Sequence, residues 1–105
     1  MTNYRSEKNQ RQYRQMLAGL AGDAYDRGTA SLGQLISTLE FLLAAVEEVD
    51  LEWRSRFQKH WGVLDEVNAY VLDCGRKDFS DEEKLILKRE VENLRRTIEE
   101  VYVVN

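Results

Sequence analysis

The sequence predicts an all-α fold, a single domain over residues 1–105 built as an antiparallel bundle of about four helices. A length of 105 residues suits one domain, and 43% hydrophobic residues can supply its core. The chain has no proline and six glycines, so little interrupts a helix or builds tight hairpins. Apolar residues recur every three or four positions in four successive segments. A β-sandwich or barrel is therefore not expected.

The first helix is predicted over residues 4–26 and ends before Gly28, a typical C-terminal breaker. The second is predicted over residues 32–49, because Ser31 and Gln34 have the spacing of a capping box. Its apolar stripe is the richest in the chain, which predicts the most buried helix. That stripe consists of Leu32, Leu35, Ile36, Leu39, Leu42, Leu43, Val46 and Val49.

The third helix is predicted over residues 51–74, with Asp50 as its N-cap, and is joined to the second by almost no loop. The fourth is predicted over residues 81–101, because Ser80 and Glu83 form a full capping box. Such short loops force neighbouring helices into an antiparallel arrangement.

Residues that carry catalysis or bind metal are scarce. The chain has one histidine, His60, and one cysteine, Cys74. Fourteen residues on one helix separate them by a rise of about 21 Å, so they cannot act as a nucleophile and its base. They also cannot supply the ligand set of a zinc site, and neither a di-iron motif nor a phosphate-binding glycine loop is present. We expect no enzymatic activity, no metal and no cofactor.

The remaining conspicuous residues are interpreted as structural. His60 lies on the apolar arc of the third helix, which predicts a partly buried, hydrogen-bonded side chain rather than a proton switch. Asn68 shares that arc and is expected to be a polar residue inside the bundle or at its rim. Trp53 and Trp61 are expected to fill the core rather than to anchor an interface. Cys74 is expected to be a partly buried thiol.

The lone cysteine cannot form an intrachain disulfide, which favours a reducing compartment and predicts a cytoplasmic protein. The start of the chain lacks the apolar region of a signal peptide. The longest apolar run has six residues, whereas a membrane span needs about 20. We expect no association with a membrane.

Direct binding to nucleic acid is not expected either, because the net charge is −4. Arg5, Lys8, Arg11 and Arg14 could be mistaken for a nucleic-acid-binding arm. At steps of three residues they spread over half the circumference of a helix, so a solvated helix surface is the preferred interpretation.

The acidity of the chain is concentrated in one stretch. Between Arg27 and Arg54 there is no Lys or Arg, and the stretch carries −5 while the rest of the chain sums to +1. Most of these acids fall where the second helix meets the third, where they are expected to oppose the dipole at the end of the second helix. They form either a solvated corner or a docking site for a basic partner. The acids are Glu40, Glu47, Glu48, Asp50 and Glu52.

Phe41 is a second irregularity, because it points away from the apolar stripe of its helix. At 100° per residue it shares a face with Ser37, Ala44, Ala45 and Glu48. A large ring among small residues is typical of an interface anchor. Burial against a second neighbour in the bundle remains the equal alternative.

Two runs within residues 13–100 form a recognisable pattern. The first run carries Tyr25, Gly28, Ser31, Leu32, Leu35, Ile36, Leu39 and Glu40, and the second carries Trp53, Phe57, Trp61, Leu64, Asp65, Glu66 and Val67. The pattern resembles small all-helical bacterial immunity proteins, which accompany polymorphic toxins such as those of contact-dependent growth inhibition systems and nuclease bacteriocins. The resemblance implies a protein that binds one cognate toxin domain, often a basic nuclease, and blocks its active site or substrate surface. The family has no shared catalytic residues to transfer.

The predicted function is therefore that of an immunity protein, a monomer or weak dimer that neutralises a toxin by binding. The alternative is a helical adaptor or regulatory subunit that binds another basic bacterial protein. The residues predicted to contact the partner are Glu40, Phe41, Glu47, Glu48, Asp50 and Glu52.

Overall fold

The computed structural model describes residues 7–102, which form four α-helices and one short 3-10 helix. Consecutive helices pack against each other, and the first also packs against the fourth, which closes the bundle. The predicted all-α four-helix bundle is confirmed. The helices are α1 (Glu7–Ala21), α2 (Thr29–Ala45), α3 (Leu51–Asp73) and α4 (Asp81–Glu99), and the 3-10 helix Ala24–Arg27 precedes α2.

The aromatic side chains of α1 and α3 meet in the core. The ring centroid of Trp53 lies 5.7 Å from that of Tyr13, edge to face, and 5.6 Å from that of Phe57. The indole N–H of Trp53 donates to the backbone oxygen of Thr97 at 2.7 Å, which joins α3 to α4. Trp53 is buried, so the expectation that it fills the core is confirmed. Trp61 packs against the core but is only partly buried.

Local capping signals in α3 and α4 are confirmed. The Oδ1 atom of Asp50 accepts the backbone N–H of Glu52 at 3.1 Å, which makes Asp50 the N-cap of α3. Ser80 and Glu83 form the predicted capping box of α4. At the other end of α3, Gly75 adopts φ 73°, the left-handed conformation that commonly ends a helix.

The predicted ends around the first loop are wrong. The first helix ends at Ala21 rather than at residue 26, because the chain turns at Gly22 and then forms the 3-10 helix. The second begins at Thr29 rather than at residue 32, so Ser31 lies inside the helix and the predicted capping box does not form. The reason is a tertiary contact: the backbone N–H of Thr29 donates to the carbonyl of Lys77 at 2.8 Å.

The second helix also ends earlier than predicted, at Ala45 rather than at residue 49. Val46 is extended, and residues 46–50 form a five-residue connection to α3, here called the acidic loop, where almost no loop was expected. The fourth helix ends at Glu99 rather than at residue 101, because the next two residues form a turn. The predicted residues 4–6 of the first helix lie outside the described residues.

Candidate partner-binding surface

All six residues predicted to contact a partner are exposed, and they occupy two places. Glu47 and Glu48 lie in the acidic loop, which Asp50 ends, and Glu52 follows in the first turn of α3. These four acids therefore lie together at one end of the bundle. Glu40 and Phe41 lie on α2, before the loop.

Phe41 is 73% exposed, so its large apolar side chain faces solvent. The alternative in which its ring is buried against a second neighbour in the bundle is therefore wrong. Exposure alone does not make the ring an interface anchor, and that role stays a prediction. Ala44 on the same face is exposed as well.

Glu47 and Asp50 both take part in interactions that stabilise the fold. Lys8 Nζ lies 2.8 Å from Glu47 Oε1, and this hydrogen bond lowers the pKa of Glu47. Asp50 caps α3, and Glu52 lies in the first turn of α3, where the helix dipole favours a negative charge. The expected opposition to the dipole of α2 therefore does not apply to Asp50 and Glu52, which lie at the N-terminal end of α3.

The acidic loop is fixed to α1 by Asn9, whose side chain is 1% exposed. The Nδ2 atom of Asn9 donates to the backbone oxygen of Glu47 at 2.9 Å, and its Oδ1 atom accepts the backbone N–H of Glu47 at 3.1 Å. On the other side, the guanidinium of Arg54 donates to the backbone oxygen of Val46 at 3.4 Å. These hydrogen bonds fix the loop backbone at Val46 and Glu47.

Glu48 has φ 54°, a left-handed conformation that glycine and asparagine adopt more readily than glutamate. This conformation turns the chain between Glu47 and the start of α3. A glutamate at such a position keeps a charge on the loop at some cost in backbone energy.

Leu51 is the residue of this surface that the sequence analysis missed. It is 80% exposed at the first position of α3, between Asp50 and Glu52. The signal was available, since at 100° per residue Leu51 points about 160° away from Trp53, the first buried residue of α3. The large exposed apolar side chains between Arg27 and Arg54 are thus Phe41 and Leu51.

A groove between α2 and α3 was also missed. It has a volume of about 170 Å³ and opens to solvent beside Glu40. The buried residues Leu43 and Phe57 form its floor, and the other lining residues are Glu40, Gln58, Trp61 and Gly62. No sequence pattern predicts such a groove, because it depends on how α2 and α3 pack.

The burial predicted from the sequence is correct for His60 and Asn68 and wrong for Cys74. The expectation that His60 is partly buried and hydrogen-bonded is confirmed by its 2.8 Å contact with Glu90. Asn68 is buried as expected, although within the described residues its Oδ1 atom has no hydrogen-bond partner. The expectation of a partly buried Cys74 is wrong, because the thiol is exposed in the turn beyond Val71, the last buried residue of α3.

Lys8, Arg11 and Arg14 are exposed on α1, and Arg5 lies outside the described residues. Within residues 7–102, no cluster of three or more His, Cys, Asp and Glu side chains is placed to hold a metal ion. In the same part of the chain, every helix is too short or too polar to cross a membrane. Comparison with protein families, curated proteins and solved structures finds no match to this chain.

Proposed function

We propose that this chain is an immunity-type protein that binds one cognate bacterial toxin domain, a basic domain of the nuclease type, and blocks its active site or substrate surface. One observation carries the proposal. Phe41 and Leu51 are 73% and 80% exposed in the stretch between Arg27 and Arg54, which has five acids and no base. Exposed apolar side chains among charges of one sign suit a partner of opposite charge. The resemblance to immunity proteins supports the same interpretation.

The acidic character of the stretch favours a nuclease as the partner. A nuclease holds the phosphates of its substrate with Lys and Arg side chains, so its substrate surface carries positive charge. Carboxylates such as those of Glu48 and Glu52 can pair with the same side chains. Binding there would exclude nucleic acid without any chemistry by this chain.

The attachment of the acidic loop to α1 supports tight binding. Because Asn9 fixes the backbone of Glu47, the loop loses little conformational freedom when a partner docks. A loop that is ordered before binding contributes its contacts at a lower entropic cost than a flexible one.

The test is a growth experiment with the candidate toxin. If the reading frame upstream of this chain encodes a large secreted protein that ends in a small basic domain, that domain is expressed in bacteria with and without the chain; an upstream frame of another kind would favour the adaptor. We expect growth to be rescued from this domain and not from an unrelated nuclease toxin, with a complex of equal stoichiometry. Binding without rescue would favour an adaptor, and rescue at far below equimolar amounts would contradict neutralisation by simple binding.

Charge steering gives a kinetic test on the same complex. Replacing Glu48 and Glu52 with Gln leaves Asp50 as the N-cap and the Lys8–Glu47 pair in place. We expect slower association and a weaker dependence of the association rate on salt, because rim charges act mainly on the encounter. Glu66 on α3 and Glu82 in the first turn of α4 are exposed and take part in none of the ion pairs among residues 7–102, so they serve as the matched control pair for the same change to Gln.

A further inference from the structure

The groove between α2 and α3 has the size and lining of a binding pocket for one aromatic ring. Its volume is about 170 Å³, whereas a cavity of about 150 Å³ is large enough to hold benzene. Trp61 and Phe57 contribute ring surface to its lining. The indole N–H of Trp61 already donates to the backbone oxygen of Ile36 at 3.0 Å, so this residue offers the groove an apolar surface without an unsatisfied donor.

Gly62 keeps the groove open, although the fold has no need of a glycine there. Gly62 lies inside α3 without a positive φ, and a Cβ atom built on it would meet nothing within 4 Å. Glycine inside a helix lowers stability relative to alanine, so this position is not optimised for the fold. A side chain at this position would instead narrow the groove that Gly62 lines.

Glu40 gives the groove its charge preference. This exposed carboxylate lines the groove, and among residues 7–102 none of the ion pairs involves it. It belongs to the stretch between Arg27 and Arg54 that carries no base. A cation that sits just outside an occupied groove can therefore pair with Glu40.

We infer that this groove receives an aromatic side chain of the basic partner, and that a Lys or Arg beside that side chain pairs with Glu40. The nature of the partner rests on the proposed function, whereas the preference for an aromatic ring next to a cation rests on the groove itself.

Two small probes with the same ring test the preference directly. Phenethylammonium and hydrocinnamate carry a phenyl group on a short chain that ends in a positive or a negative charge. Titration is followed by the NMR signals of the Gly62 backbone N–H and the Trp61 indole N–H. We expect saturable shifts at both signals, with phenethylammonium binding about fivefold more tightly, as one charge contact near the surface provides. Glu40→Gln should remove this difference between the probes.

Gly62→Met and Ala69→Met form the matched variants. Ala69 is exposed on α3 two turns beyond Gly62 and does not line the groove. Gly62→Met should fold normally, since its Cβ meets open space, and should abolish probe binding, whereas Ala69→Met should bind like the unmodified chain. Absent shifts, equal affinity for the two probes, or unchanged binding by Gly62→Met would each overturn the inference.

The growth experiment separates this inference from the proposed function. If Gly62→Met rescues growth as well as the unmodified chain and binds the toxin equally tightly, the groove is not the contact, and the proposed function stands. If the probes bind as expected and no toxin is neutralised, the proposed function is wrong. The inference that the groove prefers an aromatic ring next to a cation is then still supported.

Discussion

The Nδ1 atom of His60 on α3 lies 2.8 Å from the Oε2 atom of Glu90 on α4. The side chains are 21% and 11% exposed, so this contact lies largely away from solvent. The Nδ2 atom of Asn93 donates to the same carboxylate oxygen at 3.2 Å. Glu90 is thus a carboxylate inside the bundle that depends on two polar neighbours.

His60→Leu removes one of the two side chains that contact the Glu90 carboxylate and leaves Asn93 in place. We expect the free energy of unfolding to fall by about 1–3 kcal/mol, because a largely buried carboxyl group loses a hydrogen-bond partner. Urea denaturation measures the loss. The double variant in which Glu90 is also Leu should recover much of it, since an apolar pair replaces the polar one. Equal destabilisation in the single and double variants would contradict this account.

We expect the protein to lose stability in acid because the pKa of Glu83 is lowered in the folded state. Hydrogen bonds from Arg76 and from the backbone N–H of Ser80 hold the pKa of Glu83 at about 2, below its ordinary value of 4.5. The carboxylate therefore stabilises the folded state fully above pH 4.5, and this contribution is lost as the pH falls toward 2. Glu83→Gln should cost about 1 kcal/mol near neutral pH, allowing for the partial exposure of the pair, and less at about pH 3.

The measurement is urea denaturation of both proteins at the two pH values. Glu82 lies in the same turn and is exposed, so Glu82→Gln is the control and should change stability little at either pH. A cost of Glu83→Gln that is the same at both values would show that its charge is not responsible.

Gly28 should tolerate no side chain. Its φ of 98° and ψ of −176° are accessible to glycine, and a Cβ atom would lie 2.6 Å from the backbone oxygen of Lys77. Gly28→Ala should lower the free energy of unfolding by about 3 kcal/mol, from strain and displacement of the loop before α4. Gly62→Ala is the matched control and should raise it by about 0.5–1 kcal/mol, because α3 gains a better helix former. Equal effects of the two changes in urea denaturation would refute this contrast.

Asn9 should contribute to stability through the acidic loop. Asn9→Ala removes both side-chain hydrogen bonds to the backbone of Glu47, and we expect a loss of about 2 kcal/mol in urea denaturation. Amide exchange at Glu47 should also become faster, because the loop opens more readily. Gln15 is exposed on the same helix, and Gln15→Ala should leave both measurements unchanged. A destabilised protein with unaltered exchange at Glu47 would show that Asn9 does not hold the loop.

The sequence predicts the parts of this fold that local interactions decide. The starts of α3 and α4 could be predicted because Asp50 and Ser80 cap helices that begin at the next residue. Both ends of α2 were predicted wrongly because distant residues decide them. Lys77 accepts the first N–H of α2, and Asn9 binds the backbone just beyond its end.

In the candidate partner-binding surface too, features set by local sequence could be predicted, and features set by helix packing could not. The exposure of the acids could be predicted from their charge, and the direction of Phe41 could be predicted from helical geometry. The groove could not, because it needs Trp61 of α3 to reach the backbone of Ile36 on α2 and Gly62 to leave space beside it. These relationships depend on the packing of two helices.

Phe41→Ala separates a binding role from a role in folding. Because the ring is 73% exposed, its removal should change the free energy of unfolding by less than about 0.5 kcal/mol. If the ring is a packed anchor in the toxin complex, affinity should fall by about 2 kcal/mol, mainly through faster dissociation. Leu85 is 69% exposed on α4, outside the acidic stretch, so Leu85→Ala is the matched control and should change neither quantity. Thermal melting and binding kinetics of the three proteins decide the matter: if Phe41→Ala binds like the Leu85→Ala control, the contact surface does not include this face of α2.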